Sequence, residues 1–148
     1  MKIKSLGHVV LRVRDAELSA RWYKNVLGLK VRHRIPGRMV FLSAHDDSSH
    51  ELGLMTVGSA ASGPEEDRVG LYHVGWQLSG ISELEGIKKR LQASGVKVTG
   101  VGDHGISIGI YVKDPDDNEL EFYYELPKEE WPETGDLFSG KFPYSVDL

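Results

Sequence analysis

Two histidines and one glutamate stand where they could share a metal ion. His8 lies in GHVVLRV, His73 in YHVGWQL and Glu121 in ELEFYY. Charged side chains are seldom buried without a partner, and Glu121 sits between Leu120 and Phe122 in an apolar stretch. Two imidazoles and one carboxylate can occupy one face of an iron(II) ion and leave positions open for a substrate and oxygen. Imidazole is neutral near pH 7 and can offer a ring nitrogen, while the carboxylate offsets part of the metal's charge. The chain has no cysteine, so thiolate ligation and disulfides are excluded and any metal must be held by nitrogen and oxygen.

The elements carrying these residues repeat. In the first half, a strand over Gly7 to Val13 is followed by a helical pattern with Leu18, Trp22, Tyr23 and Leu27 on one side, ending at Gly28. Short strands are expected over Leu29 to Arg32, Arg38 to Leu42 and Glu51 to Val57. In the second half, a strand over Tyr72 to Leu78 precedes a helical run through Leu84, Ile87, Lys88 and Leu91, ending at Gly95. Strands then fit Val96 to Thr99, Ile106 to Val112 and Glu119 to Tyr124. The connector GSAASGPEEDRVG, from Gly58 to Gly70, joins the halves.

The expected architecture is therefore α+β, two βαβββ modules forming one cupped mixed sheet. The modules span about 4–57 and 71–125, with a tail over 126–148, in a single domain of residues 1–148. Each half is too small to bury a good core alone. Repeat symmetry places His8 and His73 at matching points of their first strands. Strand alternation puts His8 with Val10 and Arg12, His73 with Gly75 and Gln77, and Glu121 with Tyr123, each set on the more polar face.

Composition excludes several classes. At 148 residues, 40% hydrophobic and 27% charged, the chain reads as a soluble globular protein. A formal net charge of -4 gives no electrostatic reason to expect nucleic acid or an anionic membrane as partner. No apolar run reaches the roughly 18 residues needed to span a bilayer. The first residues read as a strand and lack a secretory signal, so the expected location is cytoplasmic. No glycine-rich nucleotide fingerprint or P-loop is present. Arg32, His33, Arg34 and Arg38 read as a solvated strand and turn, and HDDSSH, His45 to His50, as a polar loop.

The motifs GHVVLRVRD, RWYKNVLGLKV, YHVGWQL and IYVKDPDDNELEFYY resemble those of the vicinal-oxygen-chelate superfamily, which includes glyoxalase I, extradiol ring-cleaving dioxygenases and bleomycin-resistance proteins. DHGISIGIYVKDPDDNELEFYYE and the following LPKEEWP are similar to the C-terminal signature and tail of its single-domain, catechol 2,3-dioxygenase-like branch. By this resemblance His8, His73 and Glu121 are the metal ligands, and His50, His104 and Tyr111 are catalytic. The implied cofactor is iron(II), with manganese(II) compatible with the same donors, and O2 is the co-substrate. The implied partner is a small aromatic diol, and a homo-oligomer is expected. Asp117 stands where that branch usually has glycine, although Asp and Asn still favour a turn. Ile108 stands where the branch carries a basic residue.

Two other readings remain open from sequence. The glyoxalase branch takes a fourth metal ligand from the last strand of its first module, where Glu51 is the possible match. On a regular strand only one of His50 and Glu51 enters the cup, and His50 shares its parity with Leu52 and Leu54, which points Glu51 inward. A metal-independent small-molecule-binding protein would keep the cup without retaining iron.

Overall fold

The computed structural model describes residues 2–133 and 135–140. The chain divides into two compact units, Met1–Pro64 and Glu65–Leu148, with the division inside the 58–70 connector. The first unit contains β1 (Val9–Val13), α1 (Ala16–Trp22), β2 (Lys30–Ile35), β3 (Met39–Ser43) and β4 (Leu52–Thr56). The second contains β5 (His73–Gln77), α2 (Ile81–Ala93), β6 (Val98–Asp103), β7 (Ser107–Lys113) and β8 (Glu119–Glu125). The sheet orders are β1-β4-β3-β2 and β5-β8-β7-β6. In each, the first and last strands pair in parallel and the other pairings are antiparallel. This is the expected α+β fold of two βαβββ modules.

Alternation along the strands separates a core face from a polar face. In the first unit Leu11, Val13, Val40, Leu42, Leu52 and Leu54 are buried, and α1 packs on β3 and β4. In the second, Ile110, Val112, Leu120 and Phe122 are buried with Leu84 and Leu91 of α2. Full burial of each such side chain contributes roughly 1.5–3 kcal/mol. Leu84 and Leu91 are two helical turns apart, so one stripe of α2 meets β8. Gly95 follows the helix in the left-handed region, at φ +69°.

The first helix differs from its sequence reading. Asp15 caps it, its carboxylate accepting from the amides of Glu17 and Leu18. The buried stripe is Ala16, Ser19, Ala20, Tyr23 and Val26, whereas Leu18 is 56% exposed. Small side chains let the helix lie close to the sheet, and Tyr23 is fully buried after them. After Trp22 the backbone widens into a π turn over Tyr23–Leu27, which shifts the helical phase before Gly28 ends it at φ 77°. Among the described residues no helix is long and apolar enough to cross a membrane.

The β7–β8 turn is built by its acidic residues. Asp114, 4% exposed, accepts from the Asp116 and Asn118 amides and from the Asn118 side chain. Asp117 takes the left-handed conformation, φ 68°, that glycine adopts most easily. The hydrogen-bonding side chain of Asp tolerates that geometry better than most residues.

Candidate functional site

Glu121 lies on β8, between β5 and β7. Its in-register neighbours are Gly75 and Tyr111. It is buried, 8% exposed, and both carboxylate oxygens are engaged. The Tyr111 hydroxyl donates to Oε1 at 2.8 Å. His104 Nε2 lies 2.8 Å from the same hydroxyl and 3.6 Å from Oε1. Because Tyr111 gives its single proton to the carboxylate, His104 donates to the tyrosine oxygen from a protonated Nε2. Glu121 Oε2 faces His73 Nε2 at 3.2 Å. Burial first, then the hydrogen bond to Glu121 and its charge, push the Tyr111 phenol well above its ordinary pKa, so it stays protonated at neutral pH.

Local sequence explains these placements. His73 begins β5, with its ring packed between those of Tyr72 and Tyr111, at centroid distances of 5.1 and 5.7 Å. Its Nδ1 is buried without a hydrogen-bond partner, and Glu119 Oε1 is 3.7 Å away. His104 follows β6 in a tight turn in which its amide donates to the Ser107 carbonyl and Gly105 takes a φ of +87°. The tail reaches this turn: a Cβ on Gly105 would lie 3.1 Å from Ser139 Oγ and 3.2 Å from the Leu137 carbonyl. Upstream, Trp131 donates to the Leu126 carbonyl. Pro143 lies outside the described residues.

In the first unit His8 immediately precedes β1, which begins at Val9, two residues later than the Gly7 start expected from sequence. The His50 ring lies 4.6 Å from that of His8 and 5.1 Å from that of Phe41, which it meets edge to face. Glu51 turns instead toward the 43–48 loop, where its Oε2 accepts from the Ala44 amide at 2.9 Å. Burial raises its pKa, but hydrogen bonds from Ser48, the Ala44 amide and Ser43 outweigh that and hold the carboxyl below its ordinary value. The parity argument that pointed Glu51 inward fails because β4 begins at Leu52. Regular alternation does not extend to His50 and Glu51. The basic residues of β2 are surface-paired, Lys30 and Arg32 with Asp46 and Arg34 with Glu17.

The registers align the two modules residue by residue. Val9 pairs with Leu52 as Val74 pairs with Leu120. Counted from His8 and His73, the counterpart of Glu121 is Gly53, and that of Tyr111 is Phe41. The first module therefore has no carboxylate at the position equivalent to Glu121. Glu51 does not supply it.

The structure thus brings His73, Glu121, Tyr111 and His104 together in one unit, and His8 and His50 together in the other. Among the described residues no group of three or more His, Cys, Asp or Glu is assembled as a metal cluster. The second-unit pair nonetheless suits a metal. The 3.2 Å between His73 Nε2 and Glu121 Oε2 is close to the separation of adjacent donors on one octahedral ion, about 3 Å for bonds of about 2.1 Å. The sequence reading missed Glu119 beside His73 and Phe41 beside His50. It also passed over Gly109, whose place within a strand, in SIGIYV, is a sign of close approach by another group.

Residues 5–122 match the Glyoxalase/Bleomycin resistance protein/Dioxygenase superfamily. The chain is 35% identical over 126 residues to a catechol-2,3-dioxygenase of Bacillus subtilis, a match covering 85% of this chain and 43% of that protein. It is 25% identical over 135 residues to a manganese-dependent 2,3-dihydroxybiphenyl 1,2-dioxygenase of Geobacillus genomosp. 3, covering 89% of this chain and 40% of that protein. The chain thus spans about two fifths of the length of these relatives. Among solved structures, a glyoxylase/bleomycin resistance protein/dioxygenase domain from Frankia superposes with a TM-score of 0.70 at 24% identity, covering 84% of this chain and 99% of that one.

Proposed function

Because the chain belongs to the glyoxalase/bleomycin resistance protein/dioxygenase superfamily, we propose that it is an extradiol ring-cleaving dioxygenase, opening a catecholic substrate beside its diol with O2. The observation that carries this reading is the hydrogen-bonded chain from the half-buried His104 through Tyr111 to the buried Glu121, which ends against His73. The similarity to two ring-cleaving dioxygenases supports it. On this reading His8, His73 and Glu121 would hold the metal, iron(II) or manganese(II). When bound, it would supply a redox-active Lewis acid for a vicinal diol and oxygen.

The remaining side chains orient groups and move protons. Tyr111 fixes the Glu121 carboxylate through Oε1, which leaves Oε2 turned to His73. Its hydroxyl is protonated and its one proton is engaged by Oε1, so its part is to hold the carboxylate rather than to donate to the diol. His104 holds that hydroxyl in place from the other side. His50 accepts or returns a proton at the substrate, held against His8 and the edge of Phe41. A positioned proton-transfer group of this kind contributes roughly 10²- to 10⁴-fold in rate.

The test is oxygen uptake by protein loaded anaerobically with iron(II) and mixed with a panel of substituted catechols. Uptake equimolar with catechol, with a yellow ring-opened product, is expected. Fully iron-loaded protein that consumes no oxygen with any of the panel overturns the assignment.

A further inference from the structure

Gly109 sits in the middle of β7, where a glycine weakens a strand unless something needs the space. A Cβ there would lie 2.5 Å from Glu121 Oε1, 3.0 Å from Cγ and 3.2 Å from Cδ. The conflict involves more than the tip of the side chain. From Cγ outward the glutamate lies over Gly109, so relief requires a new rotamer. Any such movement draws Oε1 from the Tyr111 hydroxyl and alters the approach of Oε2 to His73.

The internal repeat serves as a control. Gly109 pairs with Tyr123, two positions beyond Glu121, as Met39 pairs with Met55, two beyond Gly53. Where the neighbouring strand carries the glutamate, the facing position is bare. Where it carries a glycine, the facing position holds a full methionine side chain. The two changes are complementary: each module supplies one large side chain and one glycine across the same pair of strands.

We propose that Gly109 is a positioning residue for the metal site, and that its missing Cβ is what allows the Glu121 carboxylate to lie between Tyr111 and His73. The proposal rests on Glu121 being a metal ligand. As far as Glu121 is concerned it is specific to Gly109, because a Cβ on Gly75, the in-register neighbour on β5, would stand an ordinary 3.7 Å from Glu121 Oε2, its one tight contact, 3.2 Å, being with the Tyr123 ring.

The experiment is a manganese(II) titration followed by electron paramagnetic resonance of the free ion, on wild type, Gly109→Ala, Gly75→Ala, Glu121→Gln and the double variant Gly109→Ala/Glu121→Asp. Gly109→Ala is expected to bind about 10- to 100-fold more weakly, the loss typical of disturbing the support of a metal ligand. Gly75→Ala should bind as wild type does. The shorter aspartate should recover part of the loss, or restore folding if Gly109→Ala alone does not fold. Wild-type binding by Gly109→Ala beside lost binding by Glu121→Gln overturns the positioning role and leaves the ligand assignment standing. A double variant that recovers neither binding nor folding also overturns the positioning role. Wild-type binding by Glu121→Gln removes the ligand assignment and the inference with it.

Discussion

Tyr111→Phe removes one oxygen and keeps the ring, so its effect isolates the hydroxyl that joins His104 to Glu121. Both contacts of that oxygen are 2.8 Å, an ordinary length for a bond made by a hydroxyl group. A hydrogen bond to a charged group contributes about 1.5–3 kcal/mol and a neutral one about 0.5–1.5. The Glu121 side chain is 11% exposed, so water cannot fully replace the lost donor, while His104, at 32%, recovers part of its loss from solvent. The expected destabilisation of the metal-free protein is about 2–3 kcal/mol. With a urea slope of about 2 kcal/mol/M, the unfolding midpoint falls by about 1–1.5 M at unchanged slope. In a His104→Phe background the same substitution should cost about 0.5–1.5 kcal/mol less, because one contact is already gone. A midpoint shift below about 0.3 M at unchanged slope would refute the buried chain as a stabilising unit.

Other expectations follow from the same geometry. Asp114→Ala removes the carboxylate that accepts from the buried Asp116 amide and the part-buried Asn118 amide, and should cost about 2–4 kcal/mol in urea unfolding. The Glu51 carboxyl is held below its ordinary value of 4.5 in the folded protein, so it binds protons less readily there than in the unfolded chain. Its stabilisation is complete above 4.5 and is lost as pH falls through the lower folded value; Glu51→Gln should therefore lose less stability than wild type over that acid range in pH-dependent urea unfolding. His104→Phe should retain iron in metal analysis while turnover drops by roughly 10²- to 10⁴-fold. Loss of iron from this variant would place His104 in the ligand set.

The repeated βαβββ order was legible because hydrophobic periodicity marks buried faces, and the two glycine helix stops and the DPDDN turn carried it further. The first helix was misread because size was taken as the sign of burial. The contact belongs to Ala16, Ser19 and Ala20, and a π turn then shifts the phase. His50 and Glu51 were placed by an alternation that stops at Leu52, and no local signal marks where a loop ends and a strand becomes regular. Alternation put Glu121 on the polar face. That Tyr111 stands directly opposite it, and that Gly53 is its counterpart in the first module, depends on strand register. Register is set by turns and by packing across the sheet, and it converts a list of polar residues into neighbours.

On the proposed reading His8, His73 and Glu121 hold one metal ion. An anaerobic iron(II) titration of wild type, His8→Ala, His73→Ala and Glu121→Gln tests it most directly. One tightly bound iron per wild-type chain and marked weakening in each variant are expected, with folding checked by circular dichroism. Wild-type affinity in any folded variant of the three would contradict it.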